Sequence, residues 1–277
     1  MRDRKDGKQI IEKDPFHSIV PYVMPKRTEA EVSMTEYFDI TKLEKYLVKY
    51  NKKNETNVKL FHTVCYAAAR TIYHRPKLNI FISGRRYYQR KDITLSFVAK
   101  QQMEDEAVET LLTLKVKPEM TISDVSTFII NDVDKARNAG SNDLDKTMEF
   151  VGKLPRFILE IFFFILRRME YYGIVPESIK KGDPNYSTVL LASLGSIKAK
   201  SCYHHLSNYG TCSIMITIGE KETRDKKTLL PITVTLDERI ADGFYFAKSL
   251  RLIKYILENP ETLHEKISDS IPEDLFN

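Results

Sequence analysis

The sequence contains no tryptophan and only three cysteines, and Cys65, Cys202 and Cys212 stand too far apart for a CxxC pair or a short Cys/His ligand spacing. The thiols are therefore expected to be reduced and mostly packed, and no metal site is expected. Met1 to Asp14 is charged throughout and lacks the apolar stretch of a secretory signal, so a cytoplasmic location is expected. Phosphate loops, GxGxxG turns, GxSxG elbows and HExxH helices occur nowhere in the chain, so any chemistry has to rest on a quieter pattern. Neither sign of charge prevails: 43 Lys+Arg lie scattered among 38 Asp+Glu, and nucleic acid is not an expected partner. A local basic patch for an anionic small ligand, such as a phosphorylated cofactor, stays open. Repeats, low-complexity tracts and Gly/Ser- or Pro-rich linkers are absent as well. The chain reads as a polar, mobile lead-in over 1–25 and a single domain over 26–277.

One apolar run stands out. Phe157 to Leu166, FILEIFFFIL, is interrupted by Glu160 and bracketed by Arg156, Arg167 and Arg168, and it is too short to span a bilayer. Its expected place is a helix buried in the core or in a subunit contact. A helix on a membrane surface and one lining an acyl-chain tunnel are the alternatives, and membrane contact is not the expectation.

With 42% apolar residues, 14 Phe and 15 Tyr, the chain can bury a full core. Thr41 followed by Glu44 is a capping-box signature for a helix with Leu43, Tyr46, Leu47 and Tyr50 on one face. Leu60, Phe61, Val64, Cys65, Ala68 and Ile72 mark a second, more buried helix that stops before Pro76. From Leu78 the period changes. Asn79 to Ile82, a Ser83-Gly84 turn, Tyr87 to Arg90 and Ile93 to Ala99 predict a meander, and Leu111 to Val116 a further strand. Thr121 is placed to cap a helix bearing Ile122, Val125, Phe128, Ile129 and Val133, with Gly140 beyond its end. Leu144 to Tyr172 reads as helical throughout, closing at Gly173. Three β-rich runs follow, Thr188 to Leu194, Cys212 to Ile218 and Leu230 to Leu236. Asp242 then caps a helix from about Gly243 to Leu257, with Phe246, Leu250, Ile253 and Leu257 facing inward.

The segment Leu229 to Leu250, LLPITVTLDERIADGFYFAKSL, runs from an alternating strand through a tight Asp-Gly turn into an amphipathic helix. It resembles the signature of the chloramphenicol acetyltransferase and 2-oxo-acid dehydrogenase acyltransferase superfamily, in which a strand ends in D-H-R-x-x-D-G or H-H-x-x-x-D-G. Asp237, Arg239, Asp242 and Gly243 match, and Leu230-Pro231 matches the entry to the strand. Thr188 to Ile197, TVLLASLGSI, is similar to the family's T-F-T-I-S-N-L-G-S-I strand, Phe38-Asp39-Ile40-Thr41 to V-D-V-T, and Pro76-Lys77-Leu78-Asn79 to P-x-x-N. The blocks keep family order from about Lys26 to Leu263, and the stretch around Phe157 is the least familiar part.

The resemblance implies a two-layer α/β sandwich with a mixed sheet covered by helices, assembled as a homotrimer with each active site between subunits. It implies acyl transfer to a small-molecule acceptor, with a coenzyme A thioester as cosubstrate and no tightly bound cofactor. The lipoyl and subunit-binding segments of the dehydrogenase enzymes are missing, so a conventional core subunit of such a complex is not expected.

Two departures fall on the chemistry. Glu238 stands where the family has its general-base histidine, and Ala192 where a hydroxyl stabilises the oxyanion, with Ser193 beside it on the opposite face as the nearest candidate contact for the cosubstrate. A carboxylate near ~4.3 needs burial to serve as a base at neutrality. Glu238 is therefore either a base raised by an apolar pocket or the partner of a basic side chain with no catalytic role. In the second case the chain is a catalytically silent trimer that binds an acyl-thioester, a lipid or a protein. By the resemblance Asp242 is mainly structural, holding the turn through Arg27 or Arg239, and Gly243 leaves room where the packed turn admits no side chain. His204 and His205, in SCYHHLSNYG, either supply the missing imidazole or are ordinary loop histidines.

Overall fold

The computed structural model describes residues 3–11, 14–100, 109–139 and 151–276. The chain opens with β1 (Gly7–Ile10) and α1 (Pro15–Val23) and continues through β2 (Glu31–Asp39), α2 (Thr41–Asn54), α3 (Leu60–His74), β3 (Ile80–Ser83), β4 (Arg86–Arg90), β5 (Ile93–Lys100) and β6 (Glu109–Val116). Then come α4 (Ile122–Ala139), α5 (Arg156–Tyr172), the single turn α6 (Glu177–Lys180), β7 (Val189–Ser193), β8 (Ile214–Ile218), β9 (Glu222–Arg224), β10 (Lys227–Asp237) and α7 (Gly243–Glu258).

Among the described residues a seven-stranded sheet runs β2-β10-β8-β7-β5-β6, with β9 paired to β10 alongside. β7 is parallel to both β5 and β8, and the remaining pairs are antiparallel, so the sheet is mixed as expected. Its two faces follow the alternation of the sequence. Leu230, Ile232, Val234 and Leu236 of β10 enter one core with Leu43, Ala68, Val125 and Phe246 from the covering helices. On the opposite face Thr233 and Thr235 share hydroxyl hydrogen bonds of 2.8 Å with Thr35 and Ser33 of β2. One face thus buries apolar surface and the other satisfies its hydroxyls within the sheet.

The expected meander divides. β3 and β4 pair with each other and, through β4, with β1 in a three-stranded antiparallel sheet, while β5 crosses to the main sheet between β7 and β6. Arg90, the last residue of β4, is buried at the split and donates to the carbonyls of Tyr186 at 3.0 Å and Thr211 at 2.6 Å, which tie the small sheet to the segments that lead into β7 and β8.

The lead-in expected to be mobile is pinned here as well. Buried Arg4 lies over the stacked rings of Phe81 and Tyr88 and donates to Asp6 at 3.0 Å and Ser83 Oγ at 2.6 Å, and Lys180 reaches Asp6 at 2.8 Å. Burial opposes ionisation of Asp6, but its bonds to Arg4 and Lys180 outweigh that and hold it far below the usual carboxylate range. α1 starts where Asp14 accepts the Phe16 N–H at 3.0 Å with Pro15 as first helical residue, a legible cap that the lead-in reading overlooked.

Three local expectations change. Thr41 does not cap α2: it is the first helical residue, and its hydroxyl accepts the Thr228 N–H at 2.9 Å, tying it to β10. At the start of α4, Asp124 accepts from both the N–H and the hydroxyl of Thr121, at 2.8 Å each, so Thr121 donates where a cap side chain would accept; Gly140 lies outside the described residues. Of the run read as continuous helix, 144–150 lie outside the described residues, and Lys153 to Pro155 break it before α5. Pro155 lacks an N–H and restricts its predecessor, which ends a helix at that point.

α5 also leaves the main core. Leu166 is buried with Val175 and Tyr186 in a satellite cluster that Phe163, Met169, Ile179 and Tyr209 join. The opposite side of the helix is open, with Phe157 64% and Phe164 60% accessible and Ile161 and Ile165 also exposed. A helix that is apolar on both sides buries one on its own chain and leaves the other unpartnered. No helix among the described residues is long and apolar enough to cross a membrane.

Candidate functional site

β10 ends at Asp237, on the hydroxyl face and with 0% of its surface accessible. A buried carboxylate persists only with charge and hydrogen-bond partners. The turn Glu238–Ile240 folds Arg239 back so that Nε and Nη2 donate to Oδ1 at 2.7 Å and Oδ2 at 2.6 Å, a two-pronged pair. Its Nη1 donates to the Met24 carbonyl at 2.8 Å. Arg27 supplies a second cation, with Nε 3.6 Å from Asp237 Oδ2. The other arms of Arg27 donate to the carbonyls of Ser207 and Gly210, so one guanidinium joins the strand end to the 207–210 loop.

Both arginines proposed as partners of Asp242 are therefore engaged with Asp237. Asp242 is exposed and accepts the Tyr245 N–H at 2.7 Å as the N-cap of α7. A Cβ on Gly243 would meet nothing within 4 Å, so packing does not require glycine there. Glu238 is exposed. Its backbone N–H donates to the Ala30 carbonyl at 2.8 Å, while its carboxylate has no ion pair or hydrogen bond among the described residues. The described residues of one chain provide neither the apolar pocket nor the basic partner considered for it.

Beside this turn lies an open cleft of about 280 Å³, lined by Arg27, Arg85, Arg167, Glu170, Asn208 and Arg239 among others. Glu170, on the last turn of α5, accepts the Gly210 N–H on Oε2 at 3.2 Å. Burial pushes its carboxyl up to about 7, against the opposing pull of Arg27, the Gly210 N–H and Arg4. A larger surface basin of about 480 Å³ lies at the other end of β10, but its Lys227 and Lys254 already face Asp39 at 3.3 Å and Glu258 at 4.0 Å.

No protein-family model and no curated protein sequence matches the chain. Solved structures do. A truncated catalytic core of the 2-oxoacid dehydrogenase multienzyme complex from Thermoplasma acidophilum matches with a TM-score of 0.60 and 14% identity, over 91% of this chain and 99% of that one. A structure described as chloramphenicol acetyltransferase matches at 0.59 and 12%, over 91% and 99%. A probable dihydrolipoamide acetyltransferase from Listeria monocytogenes matches at 0.58 and 16%, over 91% and 95%. The chain has the chloramphenicol acetyltransferase-like fold.

Within this acetyltransferase-like fold the remaining candidates scatter. Ala192 and Ser193 lie in register with Thr217 and Ile218 of β8, so Ala192 turns a methyl to the hydroxyl face and Ser193 shares the side of the helices. His204 and His205 stack on each other, 4.9 Å between ring centroids, and neither lines the cleft. The stretch just after them does, through Asn208 and Gly210. Cys65 and Cys212 are buried and Cys202 is exposed, all as free thiols. No grouping of His, Cys, Asp and Glu suited to a metal occurs among the described residues. Sequence reasoning missed Glu170. The signal was present: it is an acid on the inward stripe of Phe163 and Leu166, at helical spacing from both.

Proposed function

We propose that this chain transfers an acyl group from coenzyme A or a related thioester to a small acceptor, with the thioester as cosubstrate and no tightly held cofactor. The observation that carries this reading is the strand-end turn, fixed by the Asp237, Arg239 and Arg27 ion pairs beside a cleft walled by Lys26, Arg27, Arg85 and Arg167. Such a wall draws an anionic donor such as coenzyme A toward the turn. Glu238 occupies the position of the superfamily's histidine at the rim of this turn. A cytoplasmic homotrimer, in which the exposed face of α5 packs on a neighbouring subunit, supplies the cover that Phe157, Ile161, Phe164 and Ile165 lack in one chain. Light scattering at micromolar concentration should give a trimer or a multiple of three, and Phe164→Glu should reduce it to monomers. A wild-type monomer removes the interface model, and co-sedimentation with anionic vesicles replaces it with the membrane-surface one.

A second reading draws on the exposed Glu238 and the methyl at Ala192: a catalytically silent trimer that binds an acyl-thioester, a lipid or a protein. Thermal shifts with coenzyme A and acyl-coenzyme A, followed by product analysis, separate the two. Stabilisation with thioester-dependent product supports transfer. Stabilisation without product from any amine, alcohol or thiol supports the silent binder.

A further inference from the structure

Acyl transfer requires a group that holds the acceptor's proton, and Glu238 is exposed, with no side chain among the described residues to orient its carboxylate. We infer that Glu170, not Glu238, accepts that proton, and that the cleft beside Glu170 seats the nucleophilic atom of the acceptor. The inference rests on the acyl-transfer reading. Three observations carry it. First, Glu170 is the single acid among the described residues lining the cleft, amid Lys26, Arg27, Arg85, Arg167 and Arg239. Second, it is anchored by one oxygen: Oε2 accepts the Gly210 N–H at 3.2 Å, while Oε1 has no hydrogen-bond partner among the described residues and is left for an acceptor O–H, N–H or S–H. Third, Gly210 is itself held by Arg27, whose Nη2 donates to its carbonyl at 3.1 Å, and Arg27 contacts Asp237, so the carboxylate and the strand-end turn share one rigid bridge.

The titratable and charged groups around Glu170 are Arg27 from the turn before β2, Arg4 from the lead-in, Arg85 from the β3–β4 turn, Arg167 on its own helix, Arg239, Asp183 before β7, and Tyr186 and Tyr209 in the satellite cluster. Burial outweighs the cations, and the carboxyl titrates at about 7. A group poised there gives and takes a proton at neutrality with little cost either way.

The step balances without a further reactant. As the acceptor heteroatom bonds to the thioester carbonyl carbon, its proton passes to Glu170. The tetrahedral adduct then breaks its C–S bond, and the proton returns from Glu170 to the departing thiolate. The products are the acylated acceptor, the free thiol and the regenerated carboxylate.

The test compares Glu170→Gln, Glu170→Asp and Glu238→Gln on the full chain with acetyl-coenzyme A and a panel of amine, alcohol and thiol acceptors. Glu170→Gln should lower kcat by about 10²–10⁴-fold with an unchanged thermal shift by coenzyme A, and the ionisation near 7 should leave the pH profile. Should that variant fail to fold, Glu170→Asp carries the test, because moving the carboxylate back by one carbon should lower kcat and displace that ionisation. Full activity of Glu170→Gln, identical profiles for wild type and Glu170→Asp, or a loss confined to Glu238→Gln would each overturn the assignment while leaving acyl transfer standing. Absence of thioester-dependent product from the wild type would end both.

Discussion

The two aspartates that bracket Glu238 lie on one short turn and in opposite surroundings. Asp237 closes a strand, has no accessible surface and holds two guanidinium groups. Asp242 opens a helix, faces solvent and holds one backbone N–H. The spacing of the turn sets the backbone path, strand to tight turn to helix, but not which acid is buried. That is decided by where Arg27 arrives from a distant part of the chain. The same contrast recurs one step out, between Glu238 on the rim and Glu170 in the cleft: the residue at the recognisable position is exposed, and the one with a chemically useful environment sits outside any motif.

The largest expected effect tests the buried end. Asp237→Ala leaves Arg239 and Arg27 without their carboxylate, and an uncompensated buried charge costs about 3–5 kcal/mol. Urea unfolding should show that loss without a change in slope. A cost under about 1 kcal/mol would mean that water reaches the pair, and the contrast between the two ends would disappear.

What the sequence made legible follows from what its signals are. β7, β8 and β10 fall where alternating β-branched runs placed them, and α7 runs from Gly243 to Glu258 with Phe246, Leu250, Ile253 and Leu257 buried as its period required. Periodicity reports burial of a face, and burial is what these elements share. Pairing partners carry no such signal. Nothing local in Gly7–Ile10 announces that it adds to β4, and nothing near Arg4 announces Ser83. The arginine expected at Asp242 went astray for the same reason, since a guanidinium can reach either end of a short turn. The inward place of Glu170 on its helix was legible from spacing, but its environment was not, because that is built by Gly210, Arg27 and Arg4, three segments remote from α5.

An intermediate effect tests the cleft carboxyl through stability. Glu170 is raised from an ordinary 4.5 to about 7 in the folded chain, so between those values the native state holds a proton that the unfolded state has lost. Its contribution is full below the unfolded value and declines as pH rises through the folded one. Unfolding free energy should therefore fall by on the order of 1–3 kcal/mol from about pH 4.5 to 8, the partial exposure of the group reducing the full linkage value. Glu170→Gln should flatten that decline. An equally steep decline in the variant would assign it to other groups and remove the raised carboxyl from the cleft.

The smallest effect belongs to Asp242, the exposed end of the comparison. Asp242→Ala removes a cap bond of 2.7 Å to the Tyr245 N–H and a negative charge at the N-terminus of α7, with no buried cation left behind. Cap loss costs about 1 kcal/mol, and the helix dipole contributes a few tenths more at low salt. The melting temperature should drop by about 2–4 °C, whatever the activity, and Asp242→Asn should restore most of it because asparagine caps equally well. An unchanged melting temperature would show that α7 does not depend on this cap. A loss approaching that of Asp237→Ala would mean that a cation meets Asp242 after all, and it would be one other than Arg27 and Arg239, which are both held by Asp237.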